Sequence, residues 1–239
     1  MKKVGIIIAG GVGSRMGQSI PKQFINVDEK PIIIYTLEVF QKHPNIDSIV
    51  VVCLEGWHSV LKSYADQYNI SKLESIVLGG VNGQQSIKNG LDEVKRLGYD
   101  DNDIVLIHDA IRPMVNEEIL SDNIAKSEVY GNATTVVPCT TVVLKKGEDE
   151  SYSEEVVDRE QLYLTQTPQS FRLGEIIKAH EDAKEKGITD SVASCDLYTK
   201  LGKKVYYSAG SETNIKLTRP GDIQIFKALL KVKKPDWMK

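Results

Sequence analysis

Residues 6–24, IIIAGGVGSRMGQSIPKQF, are the stretch that decides the fold. An apolar run rich in isoleucine leads into a glycine loop that also carries the two cations Arg15 and Lys22. The glycines of the loop proper are Gly10, Gly11 and Gly13. Glycine permits positive φ and close approach of the backbone, so successive N–H groups can point at an anion. The loop therefore predicts a polyphosphate ligand rather than an ordinary turn between a strand and a helix.

The spacing of this loop differs from that of two better-known phosphate loops. The string G-x-x-x-x-G-K-[ST] of a P-loop does not occur in the sequence. A dinucleotide fingerprint needs G-x-G-x-x-G, but here Gly17 comes one residue too late and Pro21 interrupts a following helix. An NAD(P)-dependent oxidoreductase stays an alternative on the glycine loop alone, with Glu55 as a weak candidate for binding the ribose.

Composition limits the class of protein. The chain has 239 residues, of which 41% are hydrophobic, so we expect a single domain over residues 1–239 with a sizeable core. A formal net charge of −3 argues against nucleic acid as a partner bound by bulk electrostatics.

The cysteines and the apolar segments indicate a compartment. Cys53, Cys139 and Cys195 are far apart and show no C-x-x-C spacing, which favours free thiols in a reducing environment. Neither a signal peptide nor an apolar segment long enough to span a membrane is recognisable. We therefore expect a cytoplasmic protein with no membrane partner.

Strand-like and helix-like segments alternate along most of the chain. The predicted strands are residues 4–9, 49–54, 75–78, 104–107, 133–137 and 204–207. The predicted helices are residues 32–40, 60–68, 86–97, 117–129, 173–186 and 191–201, and one that starts at Pro220. This alternation predicts an α/β fold, Rossmann-like, with a mostly parallel sheet and helices on both faces.

The alternation breaks at about residues 139–164. Apolar residues 142–144 and 156–157 flank the polar stretch KKGEDESYSEE, which is typical of a β-hairpin that protrudes as an arm. A protruding arm cannot bury its apolar side alone, so we expect it to pack on a second subunit in a homodimer.

A second cluster of polar residues lies in IVLIHDAIRP, residues 104–113. A buried strand ends there in His108 and Asp109, at the edge of an open α/β sheet where ligands bind. Asp109 suits a divalent cation held against phosphates, although a helix cap or turn is an alternative. His108 is interpreted as a packed structural residue, and Arg112 as a contact to a phosphate or to a partner chain.

Several further motifs carry candidate site residues. GGVNGQQS, residues 79–86, is a second glycine loop in which Ser86 caps a helix or contacts a base or ribose, unless it is a plain turn. Arg159 is a candidate for binding an anion or for a surface salt bridge, and the hydroxyl of Thr167 can project because Pro168 keeps its backbone extended. Lys216 lies on a predicted short apolar strand, where a paired anion such as phosphate would offset its cost.

Together these motifs span residues 4–223 and resemble the cytidylyltransferases that act on 2-C-methyl-D-erythritol 4-phosphate and on ribitol 5-phosphate. The matching order is A-G-G-x-G-x-R-M-G…P-K-Q-F, G-G…S, H-D-A-x-R-P, V-D-R…Q-T-P-Q-x-F, T-D and N-I-K-x-T-x-P. The resemblance implies that CTP and a polyol phosphate give a CDP-polyol and diphosphate. Positioning and charge neutralisation would then supply the catalysis.

The resemblance also implies roles for individual residues. Arg15, Lys22 and Lys216 would hold and neutralise the phosphates, and Mg²⁺ would bridge phosphates beside Asp109. The nucleotide would contact Ala9, Gly10, Gly11, Gly13, Gly80 and Ser86. The acceptor would contact Asp109, Arg112, Thr141, Arg159 and Thr167, with Arg112 coming either from the same chain or from a neighbouring subunit of the homodimer.

The chain departs from the family pattern at two places. Gly83 stands where the family usually has Arg, and Thr141-Val142 where it commonly has Asp-Thr. A catalytically inactive nucleotide sensor is a further alternative that the Gly83 departure alone favours. Residues 9–11, Ala-Gly-Gly, resemble the ribitol phosphate enzymes and give that acceptor a weak preference, whereas residues 108–110, His-Asp-Ala, resemble the methylerythritol enzymes.

Overall fold

The structure is a computed structural model and describes residues 1–11 and 20–232. Its strands are β1 (Lys3–Ala9), β2 (Asn26–Val27), β3 (Lys30–Pro31), β4 (Ser48–Cys53), β5 (Leu73–Leu78), β6 (Ile104–Asp109), β7 (Asn132–Pro138), β8 (Val143–Lys145), β9 (Glu155–Val157), β10 (Tyr163–Arg172) and β11 (Tyr207–Ala209). Its helices are α1 (Ile32–Lys42), α2 (His58–Gln67), α3 (Gly83–Arg96), α4 (Glu117–Tyr130), α5 (Leu173–Glu185), α6 (Ser194–Lys200) and α7 (Pro220–Lys231).

The central sheet has seven strands in the order β11-β7-β10-β6-β1-β4-β5. β1 pairs in parallel with β4 and β6, β4 with β5, and β11 with β7. β10 runs antiparallel to both of its neighbours, β6 and β7. The sheet is therefore mostly parallel, as the alternating sequence predicts, with one reversed strand in its middle.

Helices cover both faces of this sheet. β4 is buried along its whole length, which is what a strand covered on both faces requires. Ile7 and Val51 point to the face packed by α1, α2 and α4. Ile6 and Val52 point to the opposite face, packed by α3, α5 and α6. The expected α/β architecture with two helical layers is confirmed.

α7 closes a smaller apolar cluster beside the first layer. Phe226 of α7 packs with Ile32 of α1, with Val27 of β2, and with Ile111 and Leu217. Ile215 and Leu217, the residues on either side of Lys216, pack in this cluster and so position Lys216.

The segment that is predicted as an arm contains a separate two-stranded ladder. β8 and β9 pair antiparallel, with Val143 opposite Val157, and make no ladder with the main sheet. The apolar side chains of Val142, Leu144 and Val156 are exposed in the single chain. Dimerisation through this hairpin stays a prediction.

Three details of the sequence interpretation are wrong. The strand placed at 204–207 is β11, which starts only at Tyr207, and the helix placed at 191–201 starts at Ser194. Lys216 lies in an irregular segment rather than on a strand, because residues 214–217 bond to the β6–α4 loop by single hydrogen bonds instead of by a ladder.

Within the described ranges, no helix is both long and apolar enough to cross a lipid bilayer.

Candidate active site

The order in which strands are added to the sheet reverses between the parallel neighbours β1 and β6. From β1 the chain continues to β4 on one side, and it later returns to β6 on the other side. The two strands end side by side, with Ile8 opposite Asp109. In open α/β sheets the crevice at such a point, beyond the carboxyl ends of the strands, is where ligands bind.

A cavity of about 710 Å³ opens at this point. One side, which we call the glycine wall, consists of Gly10, Gly11, residues 80–83 and Ser86. The opposite side, the charged wall, consists of residues 108, 109 and 112 with Thr167 and Lys216. Lys22 also lines the cavity, so that among its described lining residues three cations accompany the single carboxylate of Asp109.

The glycine wall is held in shape by its own hydrogen bonds. The Ser86 hydroxyl donates to the carbonyl of Asn82 at 2.8 Å and accepts the N–H of Gly80 at 2.9 Å. The Asn82 side chain caps α3 by accepting the N–H of Gln85 at 2.8 Å. Ser86 therefore shapes the loop, and Asn82 is the helix cap in place of the predicted Ser86.

Close packing explains the glycine at position 80. A Cβ on Gly80 would lie 2.3 Å from Cγ of Gln85 and 2.8 Å from its backbone carbon. Any larger residue would push the first turn of α3 away. By contrast, a Cβ on Gly83 would meet nothing within 4 Å, so the position at which the family usually has Arg is open space here.

Gln23, which the sequence analysis did not single out, holds the start of the first glycine loop. Its side-chain amide is buried and donates to the carbonyls of Ala9 at 2.7 Å and Gly11 at 3.1 Å. The next residue, Phe24, stacks on Trp57 with ring centroids 4.5 Å apart. These contacts fix the turn that carries Lys22. The motif P-K-Q-F contained the signal, but only the Lys was interpreted.

The charged wall is organised around Asp109. Its Oδ2 lies 3.0 Å from Nζ of Lys216 and 3.3 Å from Nε of Arg112. Arg112 is fixed further by its Nη1, which donates to the carbonyl of Asn214 at 2.8 Å. Burial acts to raise the pKa of Asp109, but the charges of Lys216 and Arg112 outweigh it and hold the pKa below the ordinary value. Asp109 is therefore an anion that keeps both cations at the cavity.

His108 lies directly behind the charged wall. It is fully buried, and its ring is tilted against that of Phe40, with centroids 5.4 Å apart. Burial lowers the pKa of His108 to about 4, so the imidazole is neutral at pH 7. The interpretation of His108 as a packed residue that does not react agrees with this position.

The reversed strand β10 supplies Thr167 to the charged wall. Its hydroxyl lies 3.0 Å from Nδ1 of His108 and accepts the N–H of Asp109 at 3.1 Å. Asn214 ties this strand to the segment that carries Lys216, because its amide donates to Oε1 of Gln166 and to the carbonyl of Thr167. Asn214 stands in the quoted motif N-I-K, where only the Lys was interpreted as functional.

A segment without regular structure borders the cavity beside α3. Residues 192 and 193 of this segment line the cavity, together with Ser194 at the start of α6. Asn82 donates to the carbonyl of Thr189, and Gln84 donates to the carbonyl of Ile188 while its Oε1 accepts the N–H of Ser191. The glycine wall and this segment are thus joined by side-chain bonds to backbone groups.

The structure brings most of the predicted site residues together. The cavity is lined by Ala9, Gly10, Gly11, Lys22, Gly80, Ser86, Asp109, Arg112, Thr167 and Lys216. Thr141 and Arg159 do not line it; both are exposed beside the hairpin, where Arg159 donates to the carbonyl of Thr140 at 2.8 Å. Gly13 and Arg15 lie outside the described residues.

Comparison with known proteins identifies the family. The family model described as IspD, 2-C-methyl-D-erythritol 4-phosphate cytidylyltransferase, matches residues 4–232. The chain belongs to this family. It is therefore a cytidylyltransferase, and hence a nucleotidyltransferase, as the motifs predict.

Similar proteins include enzymes named for two acceptors. Ribitol-5-phosphate cytidylyltransferases of Lacticaseibacillus paracasei and Vibrio parahaemolyticus are 43% and 44% identical to it, each over 95% of this chain and over 97% and 95% of their own lengths. A 2-C-methyl-D-erythritol 4-phosphate cytidylyltransferase of Clostridium botulinum is 40% identical over 94% of this chain and 96% of its own.

Solved structures of the family share the fold. The 2-C-methyl-D-erythritol 4-phosphate cytidylyltransferase of Thermus thermophilus superposes with a TM-score of 0.76 at 27% identity, covering 97% of this chain and 100% of that one. The 4-diphosphocytidyl-2C-methyl-D-erythritol synthase of Anaerococcus prevotii gives a TM-score of 0.80 at 23% identity, covering 97% and 99%, which bears on the fold alone.

Proposed function

We propose that this cytidylyltransferase transfers the cytidylyl group of CTP to ribitol 5-phosphate and releases diphosphate and CDP-ribitol. The observation that carries the chemistry is the pairing of Lys216 and Arg112 on Asp109, at the end of β6 and opposite the glycine wall. The sequence identity of 43% and 44% to enzymes named for ribitol 5-phosphate supports this choice of acceptor, as does Ala-Gly-Gly at residues 9–11.

The reaction needs no base on the protein. A phosphate oxygen of the acceptor is already anionic, so it attacks the α-phosphorus of CTP directly and forms the new P–O bond. The bond between the α-phosphorus and the bridging oxygen breaks, and diphosphate leaves with that electron pair. The protein's contribution is then to hold two anions in line and to stabilise the charge that spreads over the transferring group.

The two walls divide this work. The glycine wall, with Gly80 close to the first turn of α3, offers backbone N–H groups and a shape for the cytidine. Lys22, with Arg15 from the same loop, would hold the β- and γ-phosphates. Lys216 and Arg112 would meet the α-phosphate and the acceptor phosphate, because these cations reach the cavity from the wall opposite the glycine loops.

The residues present also fit a magnesium ion. Asp109 puts one carboxylate into a cavity that would hold a triphosphate, and Mg²⁺ is often bound by one or two carboxylates together with substrate phosphates. No cluster of three or more acidic, His or Cys ligands exists in residues 1–11 and 20–232, which suits an ion brought in with CTP. Such an ion would supply charge neutralisation on the phosphates.

We propose further that two chains form a homodimer through the hairpin of β8 and β9. Leu144 and Val156 are each more than half exposed, and a lone two-stranded hairpin is marginally stable in water. Tyr163 and Tyr207, tilted against each other at 4.9 Å, extend the exposed apolar surface onto the main sheet. Thr141 and Arg159 would then serve a cavity of the neighbouring subunit.

The proposal extends to the cellular compartment of the enzyme and to the use of its product. Cys53, Cys139 and Cys195 are free thiols, which supports a reducing compartment, and we propose the cytoplasm, where CTP is made. CDP-ribitol would then be consumed in making a teichoic acid of the cell wall or a capsule.

The alternative acceptor is 2-C-methyl-D-erythritol 4-phosphate, for isoprenoid biosynthesis. The family model's description and the 40% identity to the Clostridium botulinum enzyme favour it. His-Asp-Ala at residues 108–110 favours it as well.

The deciding experiment measures diphosphate release from CTP and Mg²⁺ with each acceptor in turn. Turnover with ribitol 5-phosphate at a kcat/KM at least tenfold above that with 2-C-methyl-D-erythritol 4-phosphate supports the proposal. The reverse ratio would identify 2-C-methyl-D-erythritol 4-phosphate as the acceptor instead. No release with either, in protein that binds CTP, would leave the inactive nucleotide sensor as the better account.

A further inference from the structure

The hydrogen bonds around His108 fix which of its two nitrogens carries the proton. Nε2 lies 3.2 Å from the carbonyl oxygen of Arg112, which can only accept, so Nε2 is the protonated nitrogen. The ring is fully buried and neutral, so Nδ1 keeps its lone pair. The partner of Nδ1 is the hydroxyl of Thr167 at 3.0 Å, which must therefore donate to it.

This donation uses the only proton of the Thr167 hydroxyl. A hydroxyl has one proton and two lone pairs. The N–H of Asp109, which can only donate, occupies one lone pair at 3.1 Å. One lone pair is left, and Thr167 lines the cavity. Toward a ligand, this hydroxyl can accept a hydrogen bond but cannot donate one.

We propose that His108 is a positioning residue: it makes Thr167, which the family resemblance already places against the acceptor, an acceptor-only contact for a hydroxyl group of the polyol. The inference rests on the proposed function and deepens it. A phosphate oxygen at neutral pH is itself an acceptor, so a lone pair of Thr167 repels it. The phosphate of the acceptor is thereby directed to Lys216 and Arg112, and a polyol hydroxyl to Thr167.

Such a contact discriminates between substrates. A site built to bond a substrate hydroxyl rejects an analogue that lacks it, because a polar group then remains unpaired. Thr167 would therefore help to choose among polyol phosphates that bring the same phosphate to the same cations.

The first arm of the test compares variants in steady-state kinetics with ribitol 5-phosphate. Thr167→Val should raise the KM for the acceptor about 10- to 100-fold, with the KM for CTP changed less than about threefold. In His108→Gln the side-chain amide would lie near the position of Nε2, and no acceptor would remain at the position of Nδ1. This variant should therefore raise the KM for the acceptor as Thr167→Val does. In His108→Asn the Oδ1 would lie near the position of Nδ1 and accept from Thr167, so the KM for the acceptor should stay close to that of wild type. Thr199→Val, the same change at an exposed position on α6 that does not line the cavity, is the matched control.

The second arm uses the wild-type enzyme and acceptor analogues, so that it does not depend on how a buried His108 variant folds. Each polyol hydroxyl is replaced in turn by hydrogen or by fluorine, which accepts weakly and cannot donate. At the hydroxyl that faces Thr167, the deoxy and the fluoro analogue should lose activity equally, about tenfold or more. The same two analogues should lose little further activity in Thr167→Val.

The outcomes separate this inference from the proposed function. An unchanged acceptor KM in Thr167→Val, or fluoro analogues that all react like the parent, overturns the role of Thr167 while the transfer reaction stands. Equal losses in His108→Asn and His108→Gln overturn the role of His108. If the wild-type enzyme turns over no polyol phosphate at all, the proposed function fails, and this inference with it.

Discussion

The two walls of the cavity differ in the groups that they present: one is uncharged and rich in glycine, and the other is charged. In the glycine wall, Ser86 and Asn82 bond within their own loop, and no charged side chain among the described residues of this wall faces the cavity. In the charged wall, Lys216 and Arg112 are held on the single carboxylate of Asp109. Under the proposed function, shape and backbone groups of the glycine wall would recognise the nucleoside, while the cations of the charged wall would meet the α-phosphate and the acceptor phosphate.

The strength of the ion pairs supports this division. Lys216 is 41% exposed, and a pair at that exposure contributes about 0–1 kcal/mol to stability. An incoming phosphate can therefore take Lys216 from Asp109 at little cost. Arg112 is only 12% exposed and has a second bond to Asn214, so it should move less.

The largest expected effect tests the charged wall. Lys216→Ala should lower kcat about 10²- to 10³-fold, because under the proposed function it removes a cation that would stabilise the transferring phosphoryl group. Lys227→Ala, an exposed lysine on α7, is the control and should leave kcat within twofold of wild type. A decrease of less than about tenfold in Lys216→Ala, by diphosphate release, would remove Lys216 from the mechanism.

The second effect concerns a histidine behind the segment that borders the glycine wall. Burial lowers the pKa of His180 to about 4, with Lys88 lowering it further and Asp92 opposing. The unfolded chain has an ordinary value of about 6.5, so it takes up the proton first as the pH falls. The stability from this group is complete above about pH 6.5 and is lost between about pH 6.5 and 4, by up to about 3 kcal/mol.

The check is chemical denaturation at several pH values. His180→Gln has no titrating group there, so its free energy of unfolding should fall less steeply than that of wild type between pH 6.5 and 4. Equal slopes for the two proteins would contradict a neutral, buried His180. At pH 8, His180 is neutral in both the folded and the unfolded chain, so the difference in free energy of unfolding there gives the effect of the substitution itself.

The third effect asks whether a second chain completes the charged wall. Deleting residues 145–155 removes the connection between β8 and β9 and one residue of each strand, so that Leu144 and Val156 lose the hairpin that presents them. Sedimentation should then show the dimer dissociating at a concentration at least about tenfold higher than for wild type. Val60→Asp, at an exposed apolar position on α2, is the control for a change of surface apolarity. An unchanged dimer would assign dimerisation to another surface, and a wild-type monomer would refute the dimer.

The smallest effect sharpens the description of the glycine wall. Gly80→Ala forces a Cβ against Gln85 and should raise the KM for CTP about three- to tenfold, since the first turn of α3 must shift. Gly83→Ala has open space and serves as the matched control, with an expected change below twofold. Equal KM values for the two variants would mean that the shape of this loop does not limit CTP binding.

The sequence predicted the parts of the site that depend on local chemistry. The glycine loops, the polar end of β6 and the cations Lys22 and Lys216 were recognisable because each follows an apolar run or stands in a short motif. The family resemblance then placed the reaction, and family membership bears it out.

What the sequence could not predict depends on distant pairing. Strand β10 inserts between β6 and β7 against the direction of the sheet and brings Thr167 to His108. No local pattern encodes this neighbour, which is 59 residues away along the chain. The start of α6 was misjudged for a similar reason, because Gln84 and Gln169 hold residues 188–195 by side-chain bonds to the backbone and delay the helix.

The most direct test of the account follows the label from CTP carrying ³²P at its α-phosphorus into product, with ribitol 5-phosphate and 2-C-methyl-D-erythritol 4-phosphate present together at equal concentration. The account predicts that the label appears in CDP-ribitol in at least tenfold excess, and that Lys216→Ala lowers the yield of both products alike. Predominant labelling of the methylerythritol product would contradict the proposed acceptor, and an unlabelled polyol fraction would contradict transfer itself.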